Sequence, residues 1–282
     1  MNDVMDVKVY LNGNYSPLSE AKVSVLDRGF LFGDGVYEVV PCYRGRLFRM
    51  QSHIDRLHAS LAKIRLDFES DLAYWQNIIE PLIDSTIDQS VYIQITRGVS
   101  NKRDHAFPAE VKPTVFVMCS EIKPFAGTLT GVKALTVEDS RWDMCDVKAT
   151  TLLANVLLRQ SAVEQGCAEA ILHKNGYVTE GAASNIFAVI DDVLFTPEKN
   201  ADILPGITRE VVLELAEQNG IEHREEIISV DALQNASEIW MTSSTREIVP
   251  IIMLDDEPVG EGVPGPLWQR MNQLYQEYKN QS

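Results

Sequence analysis

The sequence predicts a mixed α/β protein of two domains, residues 1–120 and 132–282. Segments with the two-residue alternation of strands are interspersed with segments whose apolar residues recur every three to four positions, as in helices. The 282 residues, 45% of them hydrophobic, suffice for two cores. The stretch 121–131 contains Pro124 and two glycines, so we expect it to be the linker.

The composition excludes several classes of partner. The chain has 25 lysine and arginine residues against 41 acidic residues, a formal net charge of −16 at pH 7. Such a surface repels nucleic acids and anionic membranes, so neither is expected as a partner. An anionic small molecule would therefore need a locally basic pocket.

The cysteines and the amino terminus predict a cytoplasmic protein. The sequence has no C-x-x-C pair and no histidine cluster with metal-ligand spacing, so we expect reduced thiols and no metal site. The first residues lack the basic and apolar regions of a secretion signal. No apolar run approaches the ~18 residues of a membrane span.

In the first domain, strands are predicted to enclose two helices. The pair Asn12-Gly13 tolerates positive φ angles and predicts a tight turn. Apolar residues from Ile54 to Ile64 recur at helical spacing after Ser52, the expected N-cap. The predicted elements are strands at 7–11, 36–40, 91–96 and 114–119 and helices at 52–64 and 72–83.

The second domain begins with a predicted strand and a helix from about Thr151 to Gln165. Its apolar stripe, Leu152, Leu153, Val156 and Leu157, is expected to face the core. The other predicted elements are strands at 132–137, 168–173 and 177–189, a helix at 207–220, a strand that ends in the hydroxyl run 242–245, and a helix at 267–278.

Lys148 lies directly before the first of these helices, an unusual place for a solvated ammonium. A lysine condenses with an aldehyde only as the free amine, and burial near other cations makes that form accessible near neutral pH. Most lysines are simply solvated. The surrounding residues must therefore supply the evidence for a special role.

Four other features could serve a ligand. Glu180 lies beside small residues that would let a planar ligand approach. Pro205-Gly206 precedes a helix whose first N–H groups could bind phosphate, as could the hydroxyl run 242–245. The loop 97–105 gathers four basic residues, which suit the capture of a small carboxylate. Each feature alone has an ordinary structural interpretation, but together with Lys148 they are the parts that a pyridoxal phosphate enzyme needs.

The helical periodicity around Arg56 indicates no ligand-binding role for this residue. It falls roughly opposite the apolar stripe of its predicted helix. The pattern therefore predicts that its side chain faces solvent.

Eight motifs occur in an order typical of one enzyme family. They are Asp27-Arg28-Gly29 with Phe32-Gly33-Asp34-Gly35-Val36-Tyr37-Glu38-Val39, His53-Ile54-Asp55-Arg56-Leu57, Thr96-Arg97-Gly98, Arg103-x-His105-x-Phe107-Pro108, Arg141-Trp142 with Cys145-Asp146-x-Lys148, Glu169-Ala170-Ile171-Leu172-His173, Thr179-Glu180-Gly181 with Ser184-Asn185, and Gly206-Ile207-Thr208-Arg209. On these motifs the chain resembles the class-four, branched-chain-like aminotransferases, and most of all the members that act on D-amino acids. The resemblance implies fold type IV with pyridoxal 5′-phosphate in the cleft between the domains.

The resemblance also implies the residues that hold the cofactor. Lys148 would form the covalent bond and carry the proton, and Glu180 would pair with the ring nitrogen. Leu204 would pack against the ring. Contrary to its periodicity, Arg56 would bind the phosphate. The remaining phosphate contacts would come from Ile207, Thr208, Ser243 and Ser244.

Tyr37, Arg103 and His105 would form the trap for the α-carboxylate of the substrate. In relatives the loop pair is lent by the neighbouring subunit, which implies a homodimer. The expected reaction is ping-pong transamination, in which D-alanine and 2-oxoglutarate give pyruvate and D-glutamate.

The sequence departs from the pattern of these relatives in three places. Ala182 and Ala183 replace serines, the loop between Gly98 and Arg103 is one residue longer, and Ser244 replaces a threonine while keeping the hydroxyl. The first two changes affect the expected substrate range and rate.

Three alternatives stay open at this stage. An aminodeoxychorismate lyase uses the same cofactor for elimination. An aminotransferase for branched-chain L-amino acids or (R)-amines shares the lysine, the glutamate and the phosphate arginine. A cofactor-free oligomeric scaffold is the alternative outside enzymology.

Overall fold

The computed structural model describes residues 7–110 and 112–281. By its internal contacts the chain divides into two compact units. The first unit comprises the chain up to Lys123 together with Val147–Leu152, and the second comprises Pro124–Asp146 and the chain from Leu153 onward.

The first unit is an antiparallel sheet of six strands in the order β2-β1-β6-β5-β3-β4. Its strands are β1 Lys8–Leu11, β2 Asn14–Pro17, β3 Gly35–Tyr43, β4 Arg46–Leu47, β5 Gln89–Thr96 and β6 Thr114–Glu121. The turn between β1 and β2 has φ angles of 50° at Asn12 and 95° at Gly13, which confirms the predicted tight turn.

Among the described residues, three α-helices accompany this sheet: α1 Arg28–Phe32, α2 Met50–Lys63 and α3 Leu72–Ile79. The apolar stripe of α2, which includes Ile54, Leu57 and Leu61, is buried in one cluster with Trp75 of α3 and the inward side chains of β5. This confirms the predicted inward face. The predicted cap is wrong, because α2 begins at Met50 and Ser52 lies inside the helix.

The segment Val147–Leu152 joins the first unit through main-chain hydrogen bonds to β3. The N–H of Tyr37 donates to the carbonyl of Lys148 at 2.9 Å, and the N–H of Thr150 donates to the carbonyl of Gly35 at 3.0 Å. The sequence-based boundaries assign this segment to the second domain instead. The difference arises because the pairing joins residues more than a hundred positions apart, which local patterns do not reveal.

The second unit is a mixed sheet of nine strands in the order β12-β11-β10-β13-β14-β7-β8-β9, with β15 paired to β14. Its strands are β7 Val132–Glu138, β8 Glu169–Lys174, β9 Tyr177–Gly181, β10 Asn185–Ile190, β11 Val193–Thr196, β12 His223–Glu225, β13 Glu238–Ser243, β14 Glu247–Leu254 and β15 Glu257–Pro258. The predicted single strand at 177–189 is thus two strands, broken at residues 182–184.

Five helices belong to this unit: α4 Gly127–Thr130, α5 Leu153–Glu164, α6 Ile207–Gln218, α7 Val230–Gln234 and α8 Pro266–Gln281. In the part of the chain that the structure describes, none of the helices combines the length and the apolar character needed to cross a membrane.

The predicted inward stripe of α5 is wrong. Leu153, Val156 and Leu157 are 70%, 57% and 61% exposed, whereas Leu158 and Ala162 are buried. Periodicity identifies an apolar face but does not say which face the sheet covers. The helix packs on β8 with the side that carries Leu158 and Ala162.

Candidate active site

Lys148 lies beside the ring of Tyr37 in the first unit. Its Nζ is 4.1 Å from the ring centroid, and its main-chain N–H donates to Oγ of Ser60 at 3.2 Å. The flanking residues Val147 and Ala149 are buried in the core of the unit, while Lys148 itself is half-buried. The buried side chains of Val147 and Ala149 therefore anchor the backbone on both sides of Lys148.

Arg56 is buried and paired with Glu38 of β3. Its Nε donates to Oε1 at 2.7 Å and its Nη2 to Oε2 at 2.8 Å, a bidentate contact. The expectation from periodicity that Arg56 faces solvent is wrong, because its side chain is 8% exposed. A charged group can be buried there because the carboxylate of Glu38 compensates it.

His53 completes this buried cluster. Its Nδ1 lies 2.8 Å from Oε2 of Glu38 and, because an ionised carboxylate only accepts, Nδ1 is the donor. Burial would raise the pKa of Glu38, but Arg56 and His53 together hold it well below its usual range. Burial also lowers the pKa of His53. The cluster therefore contains an ionised carboxylate, a guanidinium and a neutral imidazole.

Glu180 is one of the buried carboxylates of the second unit. Its Oε2 accepts from the N–H of Leu204 at 3.0 Å and from Nδ2 of Asn185 at 3.2 Å, and its Oε1 accepts from Nη1 of Arg141. Burial raises the pKa of Glu180 to about 7 even though Arg141 opposes that shift. Three hydrogen bonds thus hold the side chain of Glu180 in place, and Arg141 is its oppositely charged partner.

The start of α6 lies next to Glu180. Gly206, the N-cap residue, has extended backbone angles and no side-chain cap, so the first N–H groups of the helix at Ile207 and Thr208 have no acceptor within it. A side chain at position 206 would collide with Oδ1 of Asn185, which explains the need for glycine. The predicted helix start is confirmed.

Ser243 ends β13, and Ser244 begins the following turn. Thr242 pairs with Asn185 of β10, so the hydroxyl run begins beside the residue that contacts Glu180 and Leu204. Among the described residues, Oγ1 of Thr242 is buried and has no hydrogen-bond partner. The predicted site residues of the second unit, namely Glu180, Leu204, the start of α6 and the hydroxyl run, therefore lie next to one another.

The basic loop of the first unit packs on α1. The ring of Phe32 lies 5.3 Å from the ring of His105 and 5.2 Å from the guanidinium carbon of Arg103, and both loop side chains are exposed. Tyr37 instead contacts Tyr92, with ring centroids 5.7 Å apart. The structure thus brings Tyr37 together with Lys148, and Arg103 together with His105.

Four residues with no predicted role hold Arg56 and Glu180 in place: Glu38, His53, Arg141 and Asn185. All four lie within the motifs quoted above. The signal that could have found them is chemical, since a buried arginine or glutamate requires a hydrogen-bonded partner.

The chain is similar to proteins of a known family. The model of the family described as amino-transferase class IV matches residues 35–253. A D-alanine aminotransferase of Staphylococcus aureus (strain COL) is 40% identical over 275 residues, which cover 96% of this chain and 97% of the relative. A D-alanine aminotransferase of Bacillus licheniformis is 40% identical over 273 residues and covers 96% of each chain.

Solved structures show the same similarity. The branched-chain amino acid aminotransferase of Escherichia coli matches with a TM-score of 0.84 and 29% identity over 95% of this chain and 92% of that one. The branched-chain aminotransferase of the archaeon Thermoproteus uzoniensis, solved with norvaline, matches with a TM-score of 0.85 and 27% identity over 96% and 93%. The expected fold type and family are confirmed: the chain belongs to the amino-transferase class IV family.

Proposed function

We propose that the protein is a pyridoxal 5′-phosphate-dependent D-amino-acid aminotransferase that converts D-alanine and 2-oxoglutarate to pyruvate and D-glutamate. The observation that carries this proposal is the 40% identity to D-alanine aminotransferases over 96% of the chain. The branched-chain enzymes among the structural relatives are 29% and 27% identical, so similarity favours a D-amino acid as the substrate.

The donor set in each unit fits the cofactor. The first unit offers the amine of Lys148, a half-buried residue beside Tyr37. The second offers the carboxylate of Glu180 for a protonated ring nitrogen, and the N–H groups at the start of α6, which have no acceptor within the helix, for a phosphate. The unpartnered Oγ1 of Thr242 indicates that a polar ligand belongs in this region.

The bound cofactor supplies an aldehyde that takes up the amino group and a protonated ring that withdraws electrons from the substrate's α-carbon. In our proposal, Nζ of Lys148 accepts the proton from that carbon and later returns it. Tyr37 supports this task because its ring lies against Nζ. Glu180 would pair with the protonated ring nitrogen, and Leu204 would pack against the ring.

The phosphate would be held by the guanidinium of Arg56, by N–H groups of Ile207 and Thr208, and by the hydroxyls of Ser243 and Ser244. The pairing of Arg56 with Glu38 fixes its orientation in advance. The carboxylate of Glu38 also offsets the positive charge of Arg56. The N–H groups of α6 would therefore contribute much of the phosphate binding.

Tyr37, Arg103 and His105 would hold the α-carboxylate. We infer a homodimer in which the loop of one subunit serves the neighbouring site, as the resemblance implies. The exposure of Arg103 and His105 supports this arrangement. We place the protein in the cytoplasm, a proposal that the free thiols of Cys42, Cys119, Cys145 and Cys167 support.

A half-reaction with single enantiomers tests the function. Purified protein loaded with pyridoxal 5′-phosphate is mixed with D- or L-alanine, and conversion of the cofactor to its amine form is followed by absorbance. Conversion by D-alanine alone is expected. Conversion by L-alanine or L-leucine would contradict the proposal, as would pyruvate release from aminodeoxychorismate without an acceptor. A protein that binds no cofactor would be a scaffold.

A further inference from the structure

Arg28, the first residue of α1, has a buried guanidinium that reaches across the unit. The residue is 3% exposed, and its Nε donates to Oδ2 of Asp34 at 2.7 Å. Its other donors go to the loop segment 101–108, which contains the end of the basic loop and lies more than seventy positions further along the chain. Nη1 donates to the carbonyls of Asp104 at 2.6 Å and Ala106 at 3.2 Å, and Nη2 donates to that of His105 at 3.1 Å.

These hydrogen bonds fix the backbone of a loop that has no regular secondary structure of its own. The rigid fork of a guanidinium sets the relative positions of all three carbonyls, and hydrogen bonds from a charged donor are stronger than neutral ones. The carbonyl of His105 lies in the middle of the three, and Arg103 directly precedes them. Arg28 therefore holds the main chain from which the side chains of Arg103 and His105 extend.

Phe32, at the other end of α1, supports the same two side chains. Its ring lies within 5.3 Å of His105 and Arg103, and the guanidinium of Arg28 lies 4.8 Å from the same ring. Side chains of α1 thus contact both the main chain and the side chains of the loop.

Arg97, the first residue of the basic loop, shares the carboxylate of Asp34 with Arg28. Arg97 donates from Nε to the same Oδ2 of Asp34 at 2.8 Å, and its guanidinium lies 3.7 Å from the ring centroid of Phe107. Asp34 therefore stays paired with Arg97 when Arg28 is replaced. For this reason, a variant at position 28 can lose the loop contacts without leaving a buried carboxylate unpaired.

We propose that Arg28 is a positioning residue for the reaction, which holds the loop 101–108 in the conformation that lets Arg103 and His105 capture the α-carboxylate of the substrate. The proposal rests on the proposed function, because only an enzyme acting on amino and oxo acids uses such a capture. It predicts a defect in substrate binding rather than in the chemical step.

Limited proteolysis tests the anchor independently of activity. Lys102 and Arg103 are exposed trypsin sites in the loop. In Arg28→Lys, which keeps the charge beside Asp34 but cannot reach three carbonyls, trypsin is expected to cut at these sites about fivefold faster or more because the loop opens more often. Arg65→Met is the matched control, since Arg65 is an exposed arginine whose guanidinium lies 5.4 Å from the ring centroid of Phe107.

Steady-state kinetics test the positioning. For Arg28→Lys, KM for both D-alanine and 2-oxoglutarate is expected to rise roughly tenfold while kcat changes less than about threefold, because both substrates present the same α-carboxylate. Arg28→Gln, which can still donate to one carbonyl, provides a second variant should the first lose its thermal transition. Cofactor absorbance should match the wild type in both.

The outcomes separate the two proposals. Faster cleavage with raised KM supports the role of Arg28, and cleavage at the wild-type rate in a folded variant overturns it. Faster cleavage with unchanged KM also overturns it, because the loop would then move without consequence for the substrate. A wild-type protein that fails to convert D-alanine contradicts the proposed function instead. In that case the rate of proteolysis still shows whether Arg28 anchors the loop.

Discussion

Arg141 and Glu180 form a buried ion pair in which one guanidinium serves two carboxylates. Nη1 of Arg141 donates to Oε1 of Glu180, while Nε and Nη2 donate to the two oxygens of Asp139 at 3.0 and 2.8 Å. Arg141 thus holds Oε1 of Glu180, while the N–H of Leu204 holds Oε2. The geometry also makes the charge of Glu180 depend on a residue to which the sequence alone gave no role.

Replacing Arg141 should impair catalysis through Glu180. Burial already raises the pKa of Glu180 to about 7, and loss of the positive guanidinium in Arg141→Met would raise it further. Less carboxylate would then be present at neutral pH to hold a protonated ring. We expect kcat at pH 7 to fall about tenfold or more and the acid limb of the kcat profile to move to higher pH.

Arg224→Met is the control for this prediction, because Arg224 is an exposed arginine paired with Glu222. Its profile should coincide with that of the wild type. An acid limb that does not move in folded Arg141→Met would contradict the assigned role.

Glu180 should also make the stability of the cofactor-free protein depend on pH. Its pKa is about 7 in the folded protein against 4.5 for the ordinary group, so between these values the folded state binds more protons than the unfolded state. The contribution of Glu180 is therefore fully present below pH 4.5 and is lost as pH rises through 7. Urea unfolding at pH 5 and pH 8 should show a smaller loss of stability with pH in Glu180→Gln than in the wild type. Equal losses would count against the raised pKa.

Glu38→Gln should destabilise the first unit. The change removes the carboxylate charge that is paired with the buried guanidinium of Arg56, and breaking a buried pair in this way typically costs about 3 kcal/mol. The free energy of unfolding from urea titration at pH 7 measures the loss. Glu222→Gln, at an exposed position, should change it by less than about 0.5 kcal/mol. A stable Glu38→Gln protein would mean that Arg56 finds another partner.

Lys148→Ala should abolish turnover. Removal of the amine that moves the proton is expected to lower kcat with D-alanine by about a thousandfold or more. Borohydride reduction followed by peptide mapping should find the cofactor on residue 148 in the wild type and on no residue of the variant. Lys133→Ala, which removes an exposed lysine, should behave as the wild type. Cofactor found on another lysine would refute the assignment.

Local patterns predicted the elements whose signals are themselves local. The face of α2 that carries Ile54, Leu57 and Leu61 is buried as expected, and Asn12-Gly13 forms the expected turn. The same logic failed for α5, where Leu153 and Leu157 are exposed, because an apolar stripe does not specify what covers it. It failed for Arg56 too, because periodicity carries no information about a carboxylate on a neighbouring strand.

The sequence by itself determined the family and the residue types of the site, because the order and spacing of its motifs are properties of the chain alone. Only the tertiary structure decided the partners: Glu38 for Arg56, Arg141 for Glu180, and Arg28 for the loop that carries Arg103. Each of these contacts joins residues at least 18 positions apart in the chain. Hydrogen bonds and ion pairs depend on distances of about 3 Å, and folding alone brings such distant residues that close.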